Sequence, residues 1–154
     1  MCKPAGMIKT SVIDAARNFL STVWGGIPPS DAALAAALDR LFVAYHDIQP
    51  LEVTYSELAP PEQEWNSLYN EVAKRFPDYG LYPILNPLEV YEPTLMMADS
   101  IDDIADITKD MRDTIWLGKH VGLDQAHSSY VQFYFHWGQH ARELSLYLHA
   151  RQFR

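Results

Sequence analysis

Apolar residues recur at the three- and four-residue spacing of an amphipathic helix in five separate stretches of the chain. Glycine and proline interrupt the pattern, for example at Gly25-Gly26 and Pro28-Pro29, and both residue types end helices. Because the chain has 154 residues and one domain typically has ~150, we expect residues 1–154 to form a single-domain, all-α helical bundle of about five helices. The predicted helices cover residues 10–24, 30–48, 62–76, 100–119 and 124–150.

The stretch between the third and fourth predicted helices, residues 77–99, has a different composition. Four prolines forbid a long helix there: Pro77, Pro83, Pro87 and Pro93. Leucine, tyrosine and methionine are frequent in it, so it is too apolar for a disordered linker. We therefore predict a long Pro/Tyr-rich ordered crossover that packs onto the bundle. A lid or a partner-binding loop is the functional alternative, since long connections without secondary structure are often functional.

Charge and cysteine content limit the classes of partner. The formal net charge of −8 repels phosphate backbones and argues against nucleic acid, while it favours a basic protein partner. Cys2 is the one cysteine, so no disulfide can form within the chain. We find neither a signal-peptide core nor an apolar run of the ~18–20 residues that cross a membrane. We expect an acidic cytoplasmic protein with no membrane partner, whose oligomeric state is open, a homodimer being one option.

Six aspartates lie on one side of the predicted fourth helix, opposite its isoleucine-rich face: Asp99, Asp102, Asp103, Asp106, Asp110 and Asp113. Like charges at four-residue spacing repel each other, at a cost of about 0.2–0.5 kcal/mol per pair. A solvated helix face is one interpretation of this pattern. The other is a surface that binds something cationic, with the candidate binding residues Asp99, Asp102, Asp106, Asp110 and Asp113.

A second polar stripe lies between two apolar faces of the predicted fifth helix and includes His136 and His140. If the two helices are antiparallel, both histidines lie level with Asp103 to Asp110. Three arrangements remain open: a seam of His–Asp hydrogen bonds, a polar pocket for an organic ligand, or a metal site. The metal site would use His136, His140, Asp103 and Asp106, donors suited to a divalent cation such as Zn, Fe or Mn. In the other two arrangements no cofactor is expected.

Gly138 lies between the two histidines in this predicted helix. Glycine inside a helix costs about 0.8–1.0 kcal/mol relative to alanine. A close helix crossing, or a backbone that must clear Trp137, would explain its presence.

Known catalytic motifs are incomplete in this chain. His136-x-x-x-His140 has Trp137 where zinc peptidases have the glutamate that acts as general base. No Glu-x-x-His pair occurs, so a ferritin-like di-iron bundle has no support. His46-Asp47 is similar to the dyad of helical metal-dependent phosphohydrolases, but no histidine precedes it in the sequence. We therefore assign no catalytic residue and favour a role that is not enzymatic.

The two C-terminal motifs resemble those of a bacterial family. Ser100-Ile-Asp-Asp-Ile-Ala-Asp-Ile-Thr-Lys-Asp-Met and Phe135-His-Trp-Gly-Gln-His-Ala are similar to two helices of the uncharacterised all-helical family DUF5063. The alanine-rich second helix and the Tyr/Pro crossover are similar in style, while Thr108 stands where an aromatic residue is expected. The resemblance implies a small helical bacterial protein, and it implies no activity, substrate or site residue.

Three functional hypotheses follow from these residues. The first is a non-catalytic binding or interaction module that uses its acidic face. The second is a metal-dependent hydrolase, in which a metal at the His-x-x-x-His pair and the adjacent aspartates activates water and a spare aspartate acts as base. The third is a structural protein whose His–Asp seam serves only folding.

Overall fold

The computed structural model describes residues 11–48 and 55–154. The predicted all-α bundle is confirmed, with one two-stranded hairpin added among the described residues. Cys2 and the predicted start of the first helix at Thr10 lie outside them. In the part of the chain that the structure describes, no helix is both long enough and apolar enough to span a membrane. The elements in chain order are α1 (Val12–Trp24), α2 (Asp31–Asp47), α3 (Trp65–Arg75), β1 (Leu81–Ile84), β2 (Met96–Asp99), α4 (Ser100–His120), α5 (Leu123–Gln132), a π-helical segment (Tyr134–Gly138) and α6 (Gln139–Phe153).

Side-chain caps explain where the first three helices begin. The Ser11 and Ser30 hydroxyls each accept a backbone N–H three residues further on, at 3.3 and 3.1 Å. The predicted third helix begins later than expected, at Trp65. Glu64 stops it from starting earlier, because its carboxylate accepts the backbone N–H of Ser67 at 2.6 Å and so acts as the N-cap.

Helix α4 lies at the centre of the fold and contacts α1, α3, α5 and α6. Its isoleucine face forms one core with the apolar faces of α1, α2 and α6, in which Phe19, Leu38, Ile107 and Trp137 are fully buried. Burying a large apolar side chain stabilises the fold by about 1.5–3 kcal/mol. The buried indole is also hydrogen-bonded, because Trp137 Nε1 donates to the Tyr130 carbonyl oxygen at 2.9 Å.

The predicted crossover forms an antiparallel hairpin in which β1 and β2 pair along their whole length. Tyr82 is the buried strand residue, because alternate side chains of a strand face opposite sides. The expectation that the whole crossover packs onto the bundle is wrong for its tip, where Tyr91 is 90% exposed. Strand pairing satisfies the backbone at the base of the hairpin, so the tip needs no cover from the helices.

Candidate metal centre

Three aspartates of α4 meet two histidines of the C-terminal helical region between the two elements. Asp103, Asp106 and Asp110 are spaced three and four residues apart, so they share one side of α4. His136 belongs to the π-helical segment and His140 to the first turn of α6, and both rings face these carboxylates. The structure thus brings together all four residues of the predicted metal site.

Each imidazole is held at its Nδ1 atom by a different carboxylate. His136 Nδ1 lies 2.9 Å from Asp110 Oδ2, and His140 Nδ1 lies 2.7 Å from Asp103 Oδ1. A carboxylate at Nδ1 keeps a proton there and leaves the Nε2 lone pair available. Both Nε2 atoms face Asp106: the distance to its Oδ2 is 3.2 Å from His140, and the distance to its Oδ1 is 4.0 Å from His136. Histidine ligands oriented by outer carboxylates have this arrangement in metal sites.

The convergent atoms fit a small divalent cation. One ligand atom from each of Asp106, His136 and His140 lies within 4.8 Å of the other two. Ligands of a tetrahedral zinc ion, each about 2.0–2.1 Å from the metal, are roughly 3.3 Å apart. The distances from the two Nε2 atoms to Asp106, 3.2 Å to Oδ2 and 4.0 Å to Oδ1, lie on either side of that value. Two imidazoles and one carboxylate suit zinc or iron, and three protein ligands leave a coordination position open.

Asp103, which the sequence predicted as a metal ligand, faces His140 Nδ1, whereas Asp106 faces His140 Nε2. Its Oδ1 accepts from His140 Nδ1, its Oδ2 accepts from the Tyr82 hydroxyl, and it is only 2% exposed. A second group, formed by Asp102, Asp103 and His140, also has ligand atoms within 4.8 Å of one another. That group competes with the first for His140 and contains one imidazole instead of two. The group with Asp106 is therefore the better donor set for zinc or iron.

Burial and negative charge make this cluster favourable for a cation. Burial raises the pKa of Asp103 and of Asp110, although hydrogen bonds with the facing histidines partly offset it. Burial, followed by the charge of Asp106, raises the pKa of Asp102. Burial lowers the pKa of His140, but its hydrogen bond to Asp103 and the surrounding carboxylate charges outweigh burial and raise that pKa above 6.5. Four ionised carboxylates and two protonated imidazoles would still leave a net charge of −2.

The predicted acidic binding face is largely covered by other parts of the fold. Asp99 caps α4 and accepts a hydrogen bond from the Tyr69 hydroxyl at 2.6 Å. Asp113 pairs with Lys109 at 3.3 Å. The helical periodicity could not show this cover, because α3 and the π-helical segment come from distant parts of the sequence. Of the five candidate residues of this face, Asp110 is buried. The other four are half-buried: Asp99, Asp102, Asp106 and Asp113.

A single π-helical turn carries His136. Such turns occur mostly as insertions into α-helices, frequently at functional sites. Gly138 makes room within this turn, because a Cβ atom there would lie 2.7 Å from two ring carbons of Tyr134. The Tyr134 ring in turn stacks on Tyr45, with ring centroids 3.6 Å apart. The glycine therefore accommodates the Tyr134 ring, and the predicted close helix crossing is not what the added Cβ atom would meet first.

An open groove of about 360 Å³ adjoins the cluster on the His136 side. One wall is Trp65, whose Nε1 donates to Asp106 Oδ1 at 3.4 Å. Neither this contact nor the hydrogen bond from Tyr82 to Asp103 was predicted from the sequence, because both join residues that are far apart in the chain. Phe133 and Phe135 also line the groove. Their position just before His136 in the sequence is the signal that could have indicated an aromatic wall beside the histidines. The full lining is Trp65, Asp106, Lys109, Asp110, Phe133, Phe135 and His136.

The fold and the site together define a class: an all-α protein with a carboxylate–histidine cluster between two of its helices. Among solved structures, the crystal structure of protein BF1032 from Bacteroides fragilis is similar, with a TM-score of 0.67 and 16% sequence identity. The match covers 93% of this chain and 93% of that one. At this identity the likeness shows the fold alone. No family model matches the sequence, and no curated protein matches it.

Proposed function

We propose that this protein binds one divalent metal ion, with zinc the best match to the donors, through Asp106, His136 and His140. One observation carries the proposal: two imidazoles, each held at Nδ1 by its own carboxylate, direct their Nε2 atoms toward one shared carboxylate. In metal sites, outer carboxylates fix the tautomer and the ring orientation of the histidine ligands.

A metal ion also explains why both nitrogens of His140 face carboxylates, at 2.7 and 3.2 Å. A neutral imidazole has one N–H, so its other nitrogen would direct a lone pair at a carboxylate oxygen. Either a second proton or a metal ion relieves that repulsion. The purely structural seam is the protonated form of this cluster, and in our proposal a metal ion takes the place of the second proton.

The proposal replaces the basic protein partner that the aspartates alone suggested. Asp99, Asp106 and Asp113 accept hydrogen bonds from side chains of the same fold, and Asp110 is buried against His136. A protein partner would have to displace these contacts, whereas a metal ion would use the atoms that already converge.

A metal-dependent hydrolase is the second candidate, and the groove beside the cluster favours it. A zinc ion with three protein ligands supplies Lewis-acid activation of water. The groove would hold a substrate next to Asp106 and His136. Asp102 is the candidate base, because its carboxylate lies within 4.8 Å of a ring nitrogen of His140 and is neither a proposed ligand nor an orienting group. Burial and then the charge of Asp106 raise its pKa.

Family and location rest on the sequence. The motifs at residues 100–111 and 135–141 support our proposal that the chain is a bacterial member of DUF5063. The single cysteine supports a cytoplasmic location.

Metal titration of protein treated with EDTA tests the proposal directly. We expect one zinc ion per chain by calorimetry and by elemental analysis of the dialysed complex, with weaker binding of manganese. Free zinc at 100 times its dissociation constant should stabilise the fold by about 2.7 kcal/mol. For a chain of this size, that raises the Tm by roughly 5–11 °C.

Two isosteric variants on the same helix provide the matched comparison. Asp106→Asn removes a proposed ligand, and we expect it to weaken zinc binding by more than the 10–100-fold typical of losing an outer partner. Asp113→Asn removes a carboxylate that pairs with Lys109, and we expect zinc binding as in the wild type. Absence of stoichiometric zinc in the wild type, or equal affinity in Asp106→Asn, would contradict the proposal.

A further inference from the structure

Two phenylalanines beside the cluster are exposed although they lie next to well-packed aromatic residues. Phe133 is 47% and Phe135 is 77% exposed, whereas Tyr134 between them packs on Tyr45. The exposed rings lie 6.4 Å apart and within 28° of parallel. Exposed apolar groups clustered next to polar ones are typical of ligand-binding grooves.

The groove has an apolar end and a metal-binding end. Trp65, Phe133 and Phe135 supply aromatic walls, while Asp106 and His136 lie where the groove meets the cluster. Its volume of about 360 Å³ is more than twice that of the ~150 Å³ cavity known to hold benzene. An aromatic ring with a short polar extension therefore fits, whereas a polymer segment would extend beyond the groove.

The charges at the metal-binding end decide which polar group the ligand carries. Without a metal ion, Asp106 and Asp110 present carboxylates that repel an acid. Lys109, the basic residue of the lining, is paired with Asp113 at 3.3 Å. A divalent ion at the cluster would offset the charges of Asp106 and Asp110, and its open coordination position would accept an oxygen donor from the ligand.

We propose that the groove holds the aromatic end of a small organic acid, or of its ester or amide, while the polar group occupies the open coordination position of the metal. This inference rests on the proposed metal site and names the class of ligand that the site takes. The aromatic walls select the ring, and the metal selects the polar group.

Two hydroxamates that share a metal-binding group and differ in their substituent test the inference on zinc-loaded protein. Benzohydroxamate carries a phenyl ring, and acetohydroxamate carries a methyl group. We expect calorimetry to show benzohydroxamate binding at least tenfold more tightly, the effect of withdrawing an aryl ring from water. Benzohydroxamate should also quench the fluorescence of Trp65, and this quenching should be lost in Trp65→Phe.

Phe135→Ala and Phe153→Ala are the matched variants, since Phe153 is similarly exposed, at 70%, at the far end of α6. Phe135→Ala should bring the preference for the phenyl compound close to onefold and leave zinc stoichiometry and acetohydroxamate affinity unchanged. Phe153→Ala should keep the preference. A wild type that takes up no zinc overturns the proposed function and this inference together. A wild type that takes up zinc and binds both compounds equally, or an unchanged preference in Phe135→Ala, overturns only the groove assignment.

Discussion

Gly138→Ala is a sharp test of how the π-helical turn is built. The added Cβ atom would lie 2.7 Å from Cδ2 and Cε2 of Tyr134, about 0.7 Å closer than ordinary contact at 3.4 Å. The ring cannot withdraw freely, because it stacks on Tyr45 at 3.6 Å and lies edge-on to Trp137 at 5.0 Å. The substitution therefore forces either the ring or the helix backbone to move.

Two opposing terms set the magnitude for Gly138→Ala. Overpacking of a well-packed site costs about 1–3 kcal/mol. Alanine is more favourable than glycine in a helix by about 0.8–1.0 kcal/mol. We expect a net loss of about 0–2 kcal/mol in the free energy of unfolding. A substitution that improves helix propensity should therefore fail to stabilise the protein.

A double-mutant cycle with Tyr134→Ala isolates the clash. Urea unfolding followed by far-UV circular dichroism gives the stability of the wild type, both single variants and the double variant. Without the Tyr134 ring, Gly138→Ala should stabilise by about 0.8–1.0 kcal/mol, so the coupling energy should be about 1–3 kcal/mol. If Gly138→Ala stabilises both backgrounds equally, the glycine is not there to accommodate Tyr134 and our reasoning is refuted.

Three further changes have expected outcomes. Because the folded pKa of His140 lies above 6.5, protonated His140 contributes to the stability of the EDTA-treated protein; this contribution is complete below pH 6.5 and is lost as the pH rises through the folded pKa. Zinc-loaded protein should gain stability over the same pH range, since metal binding requires the unprotonated ring; parallel thermal melts with equal slopes would contradict this. Tyr82→Phe removes the hydroxyl that donates to the buried Asp103, and should cost about 1.5–3 kcal/mol in urea unfolding. Tyr130→Phe, which loses a 2.6 Å hydrogen bond to the Leu41 carbonyl oxygen, should cost about 0.5–1.5 kcal/mol, and an unchanged midpoint would exclude that bond as a stabilising contact.

The helices could be predicted from the sequence because their signals are local. Apolar spacing and the stops at Gly25-Gly26 and Pro28-Pro29 act within a few residues of the boundaries they set. The hairpin at residues 81–99 could not, because β1 and β2 have four residues each and form only when they meet across an intervening loop. Pro83, which argues against a central strand, is tolerated because a two-stranded sheet has only edge strands. The π-helical turn was missed for a similar reason, since packing of Tyr134 on Tyr45 accompanies it.

The residues of the candidate site could be predicted, but their roles could not. Helical spacing placed His136, His140, Asp103 and Asp106 at one level, and the structure brings them together. Which carboxylate faces Nδ1 and which faces Nε2 depends on the rotation of α6 about its own axis. That rotation follows from packing of the whole bundle. As a result, Asp103, which the sequence predicted as a metal ligand, and Asp110, which it predicted as part of a binding surface, are both buried and orient the two histidines.

The composition of the cluster argues for a role beyond holding two helices together. Buried ionic groups are a poor source of stability, because desolvation offsets their attraction, and apolar side chains of similar size often stabilise a core as well or better. Here burial raises the pKa of Asp103 and Asp110, which means that ionising them costs more free energy in place than in water. A helix register could be set with leucines at the same positions at no such cost. In the cluster, Asp103 and Asp110 instead orient His140 and His136 toward Asp106. This orientation places three ligand atoms close enough to bind one cation, which a structural seam alone would not require.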